Sequence, residues 1–524
     1  MLPIITGRDG DRIKIEVTVD LSGSMLEAEE AILRAVNAVG NVATGEALKR
    51  FDADGDPIMM GGATWYSKGK LPKVYNTPFG VVSAERHVYQ PAEGGKTFCP
   101  MDHGARIIRK ATPRFAKIVS HKFARGAAAE VVEDLEQNHG RPCLKASLQD
   151  LAAHVGAIVQ TKEESWSYAT PALGKVATVG IGVDGTCMLI CDQKWREAMT
   201  GSISLYDKHG ERLHTIYLGA APEYGKETFF ARMQREIDHV KSLYPKALFV
   251  GIADGAKANW DFLGPHIDEQ VLDFYHASHY LARAAAAICS APDRETWLEQ
   301  QCHNLKHKHH AAARILRDLE QAVTAKMTPE QRADVQACIT YFGNHLHQMR
   351  YARYLENAMP IGSGVTEAAC KTLVKQRLCC SGMRWTPEGA QIVLSLRALV
   401  LTQSRWEQFC LACGRGLGGG GHRRAHRGNV ARPDLLERHR VERRNALGIG
   451  DRFAVRSADC QHDVIEIPQL AGAVHHRVTG NDLLDQRRSR ARHADDENRH
   501  RRGITSTQCC RDQFGRERRL DAVE

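Results

Sequence analysis

The sequence predicts an α/β fold with a mixed sheet flanked by helices, and three observations carry this prediction. Two continuous apolar segments, 176–183 and 247–253, have the composition of strands that are buried on both faces. Two alternating segments between them, 202–206 and 213–218, indicate strands around a turn. Apolar residues at helical spacing recur before, between and after these strands, which is typical of a layered α/β fold.

Composition restricts the class of protein. The chain has 524 residues, of which 43% are hydrophobic and 25% charged, as in ordinary globular proteins. No apolar run reaches the roughly 18 residues of a membrane span, and the N-terminus lacks the pattern of a secretory signal. We therefore expect a cytoplasmic protein with no membrane partner. The 15 Cys have no framework spacing and are expected to be reduced, and the lone CxxC at 410–413 predicts no zinc site.

The sequence divides into three segments before residue 411. Region 1–112 is expected to contain a helix over 25–48 and short strands around Pro78. Region 113–165 is expected to be helical, with a second helix that opens at a capping box from Ser147 to Asp150. Two interpretations of this region stay open: a DNA-binding helix-turn-helix or an ordinary helical hairpin with a basic face. Region 166–410 holds the sheet, with a helical segment over about 277–355.

The segment 411–524 differs from the rest of the chain. It is Gly-rich at its start, and from Gly414 onward it contains Arg but no Lys. The formal net charge of the whole chain, +9, comes mostly from this segment, so local clusters must carry any argument for nucleic-acid binding. The composition fits a GC-rich gene translated out of frame, which we favour, or a genuine disordered basic tail.

The two apolar strands each lead into Asp-Gly, at Asp184 and at Asp254. If the strands are parallel neighbours, both carboxylates lie at the same edge of the sheet, where ligands of such sheets bind. Paired carboxylates suit Mg²⁺ or Mn²⁺, and two ions about 4 Å apart would promote phosphoryl transfer. The alternative is that each Asp-Gly only makes a tight turn.

Glu367 opens a predicted helix and has Lys371 and Lys375 on its own face. This arrangement predicts a carboxylate at the metal ions and lysines on DNA phosphates, although a surface ion pair at helical spacing is the competing interpretation. Three further residues extend the predicted DNA-contacting face: Arg377, Arg384 and Trp385. Trp385 could stack on a flipped base or belong to the core.

Several short segments share one pattern between about residues 25 and 409. They are Gly182-Val-Asp-Gly-Thr186, Trp195-Arg-Glu-Ala-Met199, His214-Thr-Ile-Tyr-Leu218, Gly251-Ile-Ala-Asp-Gly-Ala-Lys-Ala-Asn-Trp260, Asp273-Phe-Tyr-His276, Ile361-Gly-Ser-Gly-Val-Thr-Glu-Ala-Ala-Cys-Lys371 and Gly382-Met-Arg-Trp385. This pattern resembles bacterial insertion-sequence transposases of the ISKra type. The run around Glu367 is the most specific part of the resemblance.

The resemblance implies a ribonuclease-H-like mixed sheet with a helical insertion, preceded by a mainly helical N-terminal DNA-binding region. It assigns Asp184, Asp254 and Glu367 to an Asp-Asp-Glu triad that binds two Mg²⁺ or Mn²⁺ ions. Asp273 and His276 match a motif that supports such sites. The implied activity is cleavage and strand transfer at insertion-sequence ends, with terminal-repeat and target DNA as partners, by a homo-oligomer on the nucleoid.

Two other functions fit the same residues. One is a ribonuclease-H-like nuclease that only hydrolyses DNA. The other is a DNA-binding regulator, or an inactive transposase remnant, that binds DNA without cutting it.

Overall fold

The computed structural model describes residues 2–163, 165, 167–171 and 173–415. The predicted Arg-rich tail therefore lies outside the described residues, apart from 411–415, which belong to a helix. The strands are β1 (Ile4–Asp9), β2 (Arg12–Glu16), β3 (Ile58–Met60), β4 (Ala63–Thr77), β5 (Gly80–Pro91), β6 (Thr178–Ile190), β7 (Lys194–Tyr206), β8 (Arg212–Ala220), β9 (Leu248–Ala253) and β10 (Glu269–Leu272).

Helices surround these strands and supply most of the remaining structure. They are α1 (Met25–Lys49), α2 (Pro100–Gly104), α3 (Pro113–Arg125), α4 (Ala128–His139), α5 (Lys145–Glu163), α6 (Glu227–Leu243), α7 (Lys257–Leu263), α8 (Phe274–Ile288), α9 (Arg294–His307), α10 (Ala311–Ala322), α11 (Pro329–His345), α12 (Tyr351–Glu356), α13 (Gly364–Ala369), α14 (Gln376–Leu378), α15 (Pro387–Leu401) and α16 (Arg405–Arg415). Short 3₁₀ helices lie at Gly264–His266, Ala291–Asp293 and Leu346–Gln348, and a π-helical turn, Cys370–Lys375, joins α13 to α14.

The central sheet has the strand order β10-β9-β6-β7-β8. β6 pairs antiparallel with β7 on one side and parallel with β9 on the other, and β10 continues the parallel half. The expected α/β class and mixed sheet are therefore confirmed, as is the parallel pairing of the two apolar strands. The carboxyl ends of β6, β9 and β10 face the same edge of the sheet.

Both faces of this sheet are covered, which explains why its inner strands read as continuous apolar runs. On one face, α6 packs Phe229, Met233, Ile237 and Val240 against the odd-numbered side chains of β6 and β7. On the other face, α15 packs along β8, where its Gln391 side chain hydrogen-bonds the backbone N–H of Ala221 at 2.8 Å. The sheet therefore forms the middle layer between two layers of helices.

The helical region before the sheet differs from its prediction in two respects. It contains three helices, α3 to α5, and α5 begins at Lys145, so Ser147 lies inside its first turn rather than capping it. The apolar faces of α3 and α5 share one core with α15. Helix α4 ends at Gly140, which adopts the left-handed conformation that glycine favours.

The segment expected to be helical over 277–355 is present as α8 to α12. These helices form their own apolar cluster, which extends onto β9 and β10 through Val250 and Val271. β10 ends at Leu272, and Asp273, the next residue, caps α8. The helical cluster is therefore attached directly to the carboxyl edge of the sheet.

The amino-terminal region contains more strand than its prediction. The helix expected over 25–48 is confirmed as α1, which Ser24 and Glu27 cap reciprocally. The strands around Pro78 are confirmed as β4 and β5, which are longer than expected. β4 pairs with β3 on one side and with β5 on the other, in a separate sheet. The hairpin of β1 and β2 was not predicted. Region 1–112 is therefore not mainly helical in its described part.

Candidate active site

Three aspartates occupy matching positions at the carboxyl edge of the sheet. Asp184 and Asp254 each lie two residues beyond the registered pair Gly182 and Ile252 of β6 and β9. Asp273 follows Leu272 of β10, which is registered with Ala253, and its N–H donates to the Ala253 carbonyl at 2.9 Å. Three neighbouring parallel strands thus carry one carboxylate each to the same edge.

Asp184 does not end its strand. β6 continues to Ile190 and pairs with β7 throughout, with Asp184 opposite Thr200. The expectation that the strand ends in an Asp-Gly turn is therefore wrong at this position, and the tight-turn interpretation does not apply here. Only the parallel partner β9 stops, which exposes the edge of β6 where the Asp184 carboxylate lies.

Helix α13 approaches the face of β6 that carries Asp184. A side chain at Gly182 would collide with the Thr366 hydroxyl, so the close contact requires glycine there. Thr366 also hydrogen-bonds Ser202 of β7 at 2.7 Å, and both side chains are buried. These contacts place the first turn of α13, which contains Glu367, beside the carboxyl edge.

The Asp184 carboxylate is held at both oxygens. Oδ1 accepts the backbone N–H of Gly185 at 2.7 Å, and Oδ2 accepts the thiol of Cys370 at 3.4 Å. Burial raises the pKa of Asp184, and the negative charges of Asp254 and Glu367 raise it further. The charges of the other two predicted carboxylates therefore reach Asp184.

Asp254 is fixed by the turn that follows β9. Its Oδ1 accepts the backbone N–H of Ala256 at 3.1 Å and lies 3.4 Å from Asn259 Nδ2. Its carbonyl accepts the Tyr341 hydroxyl of α11 at 2.8 Å. Gly255, next in the chain, has φ +103°, which a residue with a side chain rarely adopts.

Glu367 is held by the residues that precede it and by α8. The Ser363 hydroxyl donates to Glu367 Oε1 at 2.9 Å. His276 Nδ1 lies 3.9 Å from the same oxygen. Glu367 is about half exposed, so its carboxylate is both positioned and accessible to a ligand.

Asp273 and His276 contact Glu367 and the segment that precedes it. The buried Asp273 carboxylate accepts the backbone N–H groups of His276, at 2.7 Å, and of Ser363. Although burial acts to raise the pKa of Asp273, hydrogen bonds from the side chains and then the backbone N–H groups of His276 and Ser363 keep it below its ordinary value. Asp273 lies 3.4 Å from His276 Nδ1 and raises the pKa of that imidazole.

The ligand atoms of Asp273, His276 and Glu367 lie within 4.8 Å of one another, so these three residues could also hold an ion. Both Asp273 oxygens already accept backbone N–H groups, which favours a positioning role for this carboxylate. Within the described part of the chain, no Lys or Arg forms an ion pair with Asp184, Asp254 or Glu367. His276, beside Glu367, is the basic side chain of that part that lies within ion-pair distance of one of these carboxylates.

The predicted DNA-contacting residues divide into two groups. Lys371, Lys375 and Arg384 are exposed on or after the π-helical turn that follows Glu367. Arg377 is buried, donates to the Phe123 carbonyl at 3.2 Å and packs on the Phe123 ring. Because burial has removed its guanidinium from the surface, and lowers its pKa to about 10, we withdraw Arg377 from the predicted DNA contacts.

Trp385 packs against the apolar core, as one of its two interpretations predicted. Its indole N–H donates to the Leu378 carbonyl at 2.9 Å, and its ring packs against Arg377. Its backbone is bonded to Leu189 and Cys191 at the end of the β6–β7 hairpin. These contacts do not favour the alternative, stacking on a flipped base.

Four residues that touch this site carried no signal of their own in the sequence. Ser363 and Cys370 flank Glu367 within the motif, whereas Thr200 and Tyr341 come from β7 and α11. The cross-strand position of Thr200 could be found only after the register of β6 and β7 was known. Tyr341 could not be found at all, because nothing in the sequence connects α11 to the Asp254 turn.

No protein-family model matches the chain, and no curated protein matches it either. Among the described helices, none combines the length with the apolar composition that crossing a bilayer requires.

Proposed function

We propose that the protein is an Asp-Asp-Glu transposase with a ribonuclease-H-like catalytic core. The observation that carries the proposal is the placement of Asp184, Asp254 and Glu367, far apart in sequence, around one edge of a mixed sheet. The strand order, with β6 at the centre between antiparallel and parallel halves, supports the core that the family resemblance implies. In this proposal the helical cluster α8 to α12 would be the insertion that the resemblance implies.

The donor set fits divalent cations. Carboxylate oxygens are the hard ligands that Mg²⁺ and Mn²⁺ prefer, and Asp184, Asp254 and Glu367 would hold them. The raised pKa of Asp184 reflects burial and two neighbouring negative charges, a condition that a bound cation relieves. When bound, two such ions supply an activated water or 3′-hydroxyl and stabilise the departing oxygen of a phosphodiester.

The protein's own residues keep the carboxylates in place before any ligand binds. Gly185 and Cys370 orient Asp184, the Ala256 N–H orients Asp254, and the Ser363 hydroxyl orients Glu367. Such fixed geometry lowers the cost of assembling the site around DNA. His276 Nδ1 lies 3.9 Å from Glu367 Oε1, and the hydrogen bond with Asp273 raises the pKa of that imidazole.

DNA is the proposed partner. The exposed Lys371, Lys375 and Arg384 follow Glu367 closely and would contact phosphates on either side of the scissile bond. Exposed Arg114 and Arg125 on α3 fit a second contact region. Terminal repeats and target DNA are the two substrates that this activity requires. The function would place a homo-oligomer at the nucleoid, in the cytoplasm.

The test compares wild type with Asp184→Asn, Asp254→Asn and Glu367→Gln on DNA carrying the element's own ends. Wild type is expected to nick the ends and to join a pre-cut 3′ end to target DNA with Mg²⁺, whereas each variant binds the ends but does neither. Nicking without joining would identify a hydrolytic nuclease. Binding without either reaction in wild type would identify a DNA-binding regulator or an inactive remnant.

A further inference from the structure

Cys370 links the helix of Glu367 to the carboxylate of Asp184. It is buried in the π-helical turn directly after α13, one helical turn beyond Glu367. Its Sγ lies 3.4 Å from Asp184 Oδ2 and 2.9 Å from Thr200 Oγ1. Thr200 is the cross-strand partner of Asp184 and is itself fully buried.

The geometry assigns a direction to this network. An ionised carboxylate only accepts hydrogen bonds, so the thiol must donate to Asp184 Oδ2. Because the thiol hydrogen is used on Asp184 Oδ2, the 2.9 Å contact between Thr200 Oγ1 and Cys370 Sγ requires the hydroxyl of Thr200 to donate to sulfur, rather than to the Asp184 carbonyl 3.3 Å away. Asp184 is thus held at its far oxygen by the Cys370 thiol, and Thr200 in turn holds the sulfur.

We propose that Cys370, backed by Thr200, is a positioning residue that orients the Asp184 carboxylate for a divalent cation. The inference rests on the proposed function, which makes Asp184 a metal ligand. A thiol is a weak donor, so it fixes the rotation of the carboxylate and leaves its negative charge available to a cation. One short helical segment then supplies one ligand, Glu367, and orients another.

Packing alone is the competing role for a buried cysteine, and substitutions separate the two. Cys370→Ser retains a donor, whereas Cys370→Val retains bulk and removes the donor. Cys338→Ala is the control, because Cys338 is also buried but lies in the helical cluster on α11. Thr200→Val removes the second member of the network without touching the cysteine.

The experiment measures Mn²⁺ binding to the full chain, without DNA, by the electron paramagnetic resonance signal of free Mn²⁺. We expect Cys370→Val to weaken Asp184-dependent binding roughly tenfold, as loss of a ligand-orienting group does, and Thr200→Val to weaken it less. Cys370→Ser and Cys338→Ala are expected to bind as wild type does. Circular dichroism spectra would confirm that each variant is folded.

Three results would overturn the inference. If Cys370→Val binds Mn²⁺ as wild type does, the thiol does not position Asp184. If Cys370→Ser binds as weakly as Cys370→Val, the donor is irrelevant and the role is packing. Should Cys370→Val fail to fold, unchanged binding by Thr200→Val overturns the network. If Asp184→Asn also binds Mn²⁺ as wild type does, the metal site of the proposed function fails together with the inference. Failure of the inference alone leaves binding dependent on Asp184.

Discussion

The buried carboxylate of Asp273 accepts a hydrogen bond from the backbone N–H of Ser363, which lies 90 positions further along the chain. This bond joins the end of β10 to the start of α13 across the whole helical cluster. Ser363 in turn donates to Glu367. The position of the Glu367 carboxylate therefore depends on Asp273, which directly follows β10.

Asp273→Ala is expected to lower the free energy of unfolding by about 3 kcal/mol, because it leaves the N–H groups of Ser363 and His276 without their acceptor. Asp273→Asn retains one acceptor oxygen and should cost less. Urea denaturation measures both changes. Asp261→Ala, at an exposed position on α7, is the control and should stay within about 0.5 kcal/mol of wild type. Equal effects at positions 273 and 261 would contradict this account of Asp273.

Gly255→Ala is expected to destabilise the Asp254 turn. Gly255 has φ +103°, and an added Cβ would lie 3.1 Å from His345 Nε2 and 3.2 Å from the Tyr341 ring. Strain of this kind costs about 1–3 kcal/mol, and a displaced Asp254 should also abolish DNA nicking.

Gly343→Ala provides the comparison for this substitution. Gly343 lies within α11, has no heavy atom near an added Cβ and should gain up to about 1 kcal/mol of stability. Melting temperatures of both variants test the prediction. A Gly255→Ala protein that is as stable and as active as wild type would refute it.

Tyr341→Phe should weaken the connection between the helical cluster and the site. The substitution removes the hydroxyl that donates to the Asp254 carbonyl but keeps the ring, which stacks on Tyr280 at 3.9 Å. We expect a loss of about 1 kcal/mol in stability and slower nicking at saturating Mg²⁺. Tyr280→Phe, which preserves the same stack, should leave the nicking rate unchanged. Equal rates for wild type and Tyr341→Phe would show that the cluster does not act through this bond.

The central strands and their carboxylates could be predicted from the sequence for a physical reason. Strands buried on both faces must be apolar throughout, so the change to Asp at 184 and at 254 stands out. The full length of β6 could not be predicted in the same way. Beyond Asp184 the strand is sustained by pairing with β7, and that pairing depends on a register that local composition does not determine.

The basic residues after Glu367 show a second limit of the sequence. Lys371 and Arg377 are both basic residues that follow Glu367 closely. In the structure Lys371 is exposed, whereas Arg377 is buried against the Phe123 ring. Phe123 belongs to α3, far earlier in the chain, and no periodicity relates the two positions. Arginine can also be buried where backbone carbonyls accept its N–H groups, so charge alone did not place it at the surface.

Glu163 should make the stability of the protein depend on pH. It lies at the end of α5, where Arg232 Nη1 is 3.4 Å from its carboxylate and the Ser395 hydroxyl donates to it at 3.0 Å. Burial nonetheless raises the pKa of Glu163 from 4.5 to about 7. Between these values the folded protein retains a proton that the unfolded chain releases. The contribution of Glu163 to stability is therefore full below pH 4.5 and is lost as the pH rises to about 7.

Glu163→Gln replaces the protonated form with a neutral amide and should remove this dependence. Relative to wild type, the variant is expected to gain up to about 3 kcal/mol as the pH rises from 4.5 to about 7, since each pKa unit corresponds to about 1.4 kcal/mol. Ser395→Ala removes a hydrogen bond that lowers the pKa of Glu163, so the loss of stability should extend to higher pH. Urea denaturation of the three proteins across this range gives the comparison. A difference between wild type and Glu163→Gln that stays constant with pH would mean that Glu163 does not titrate in this range.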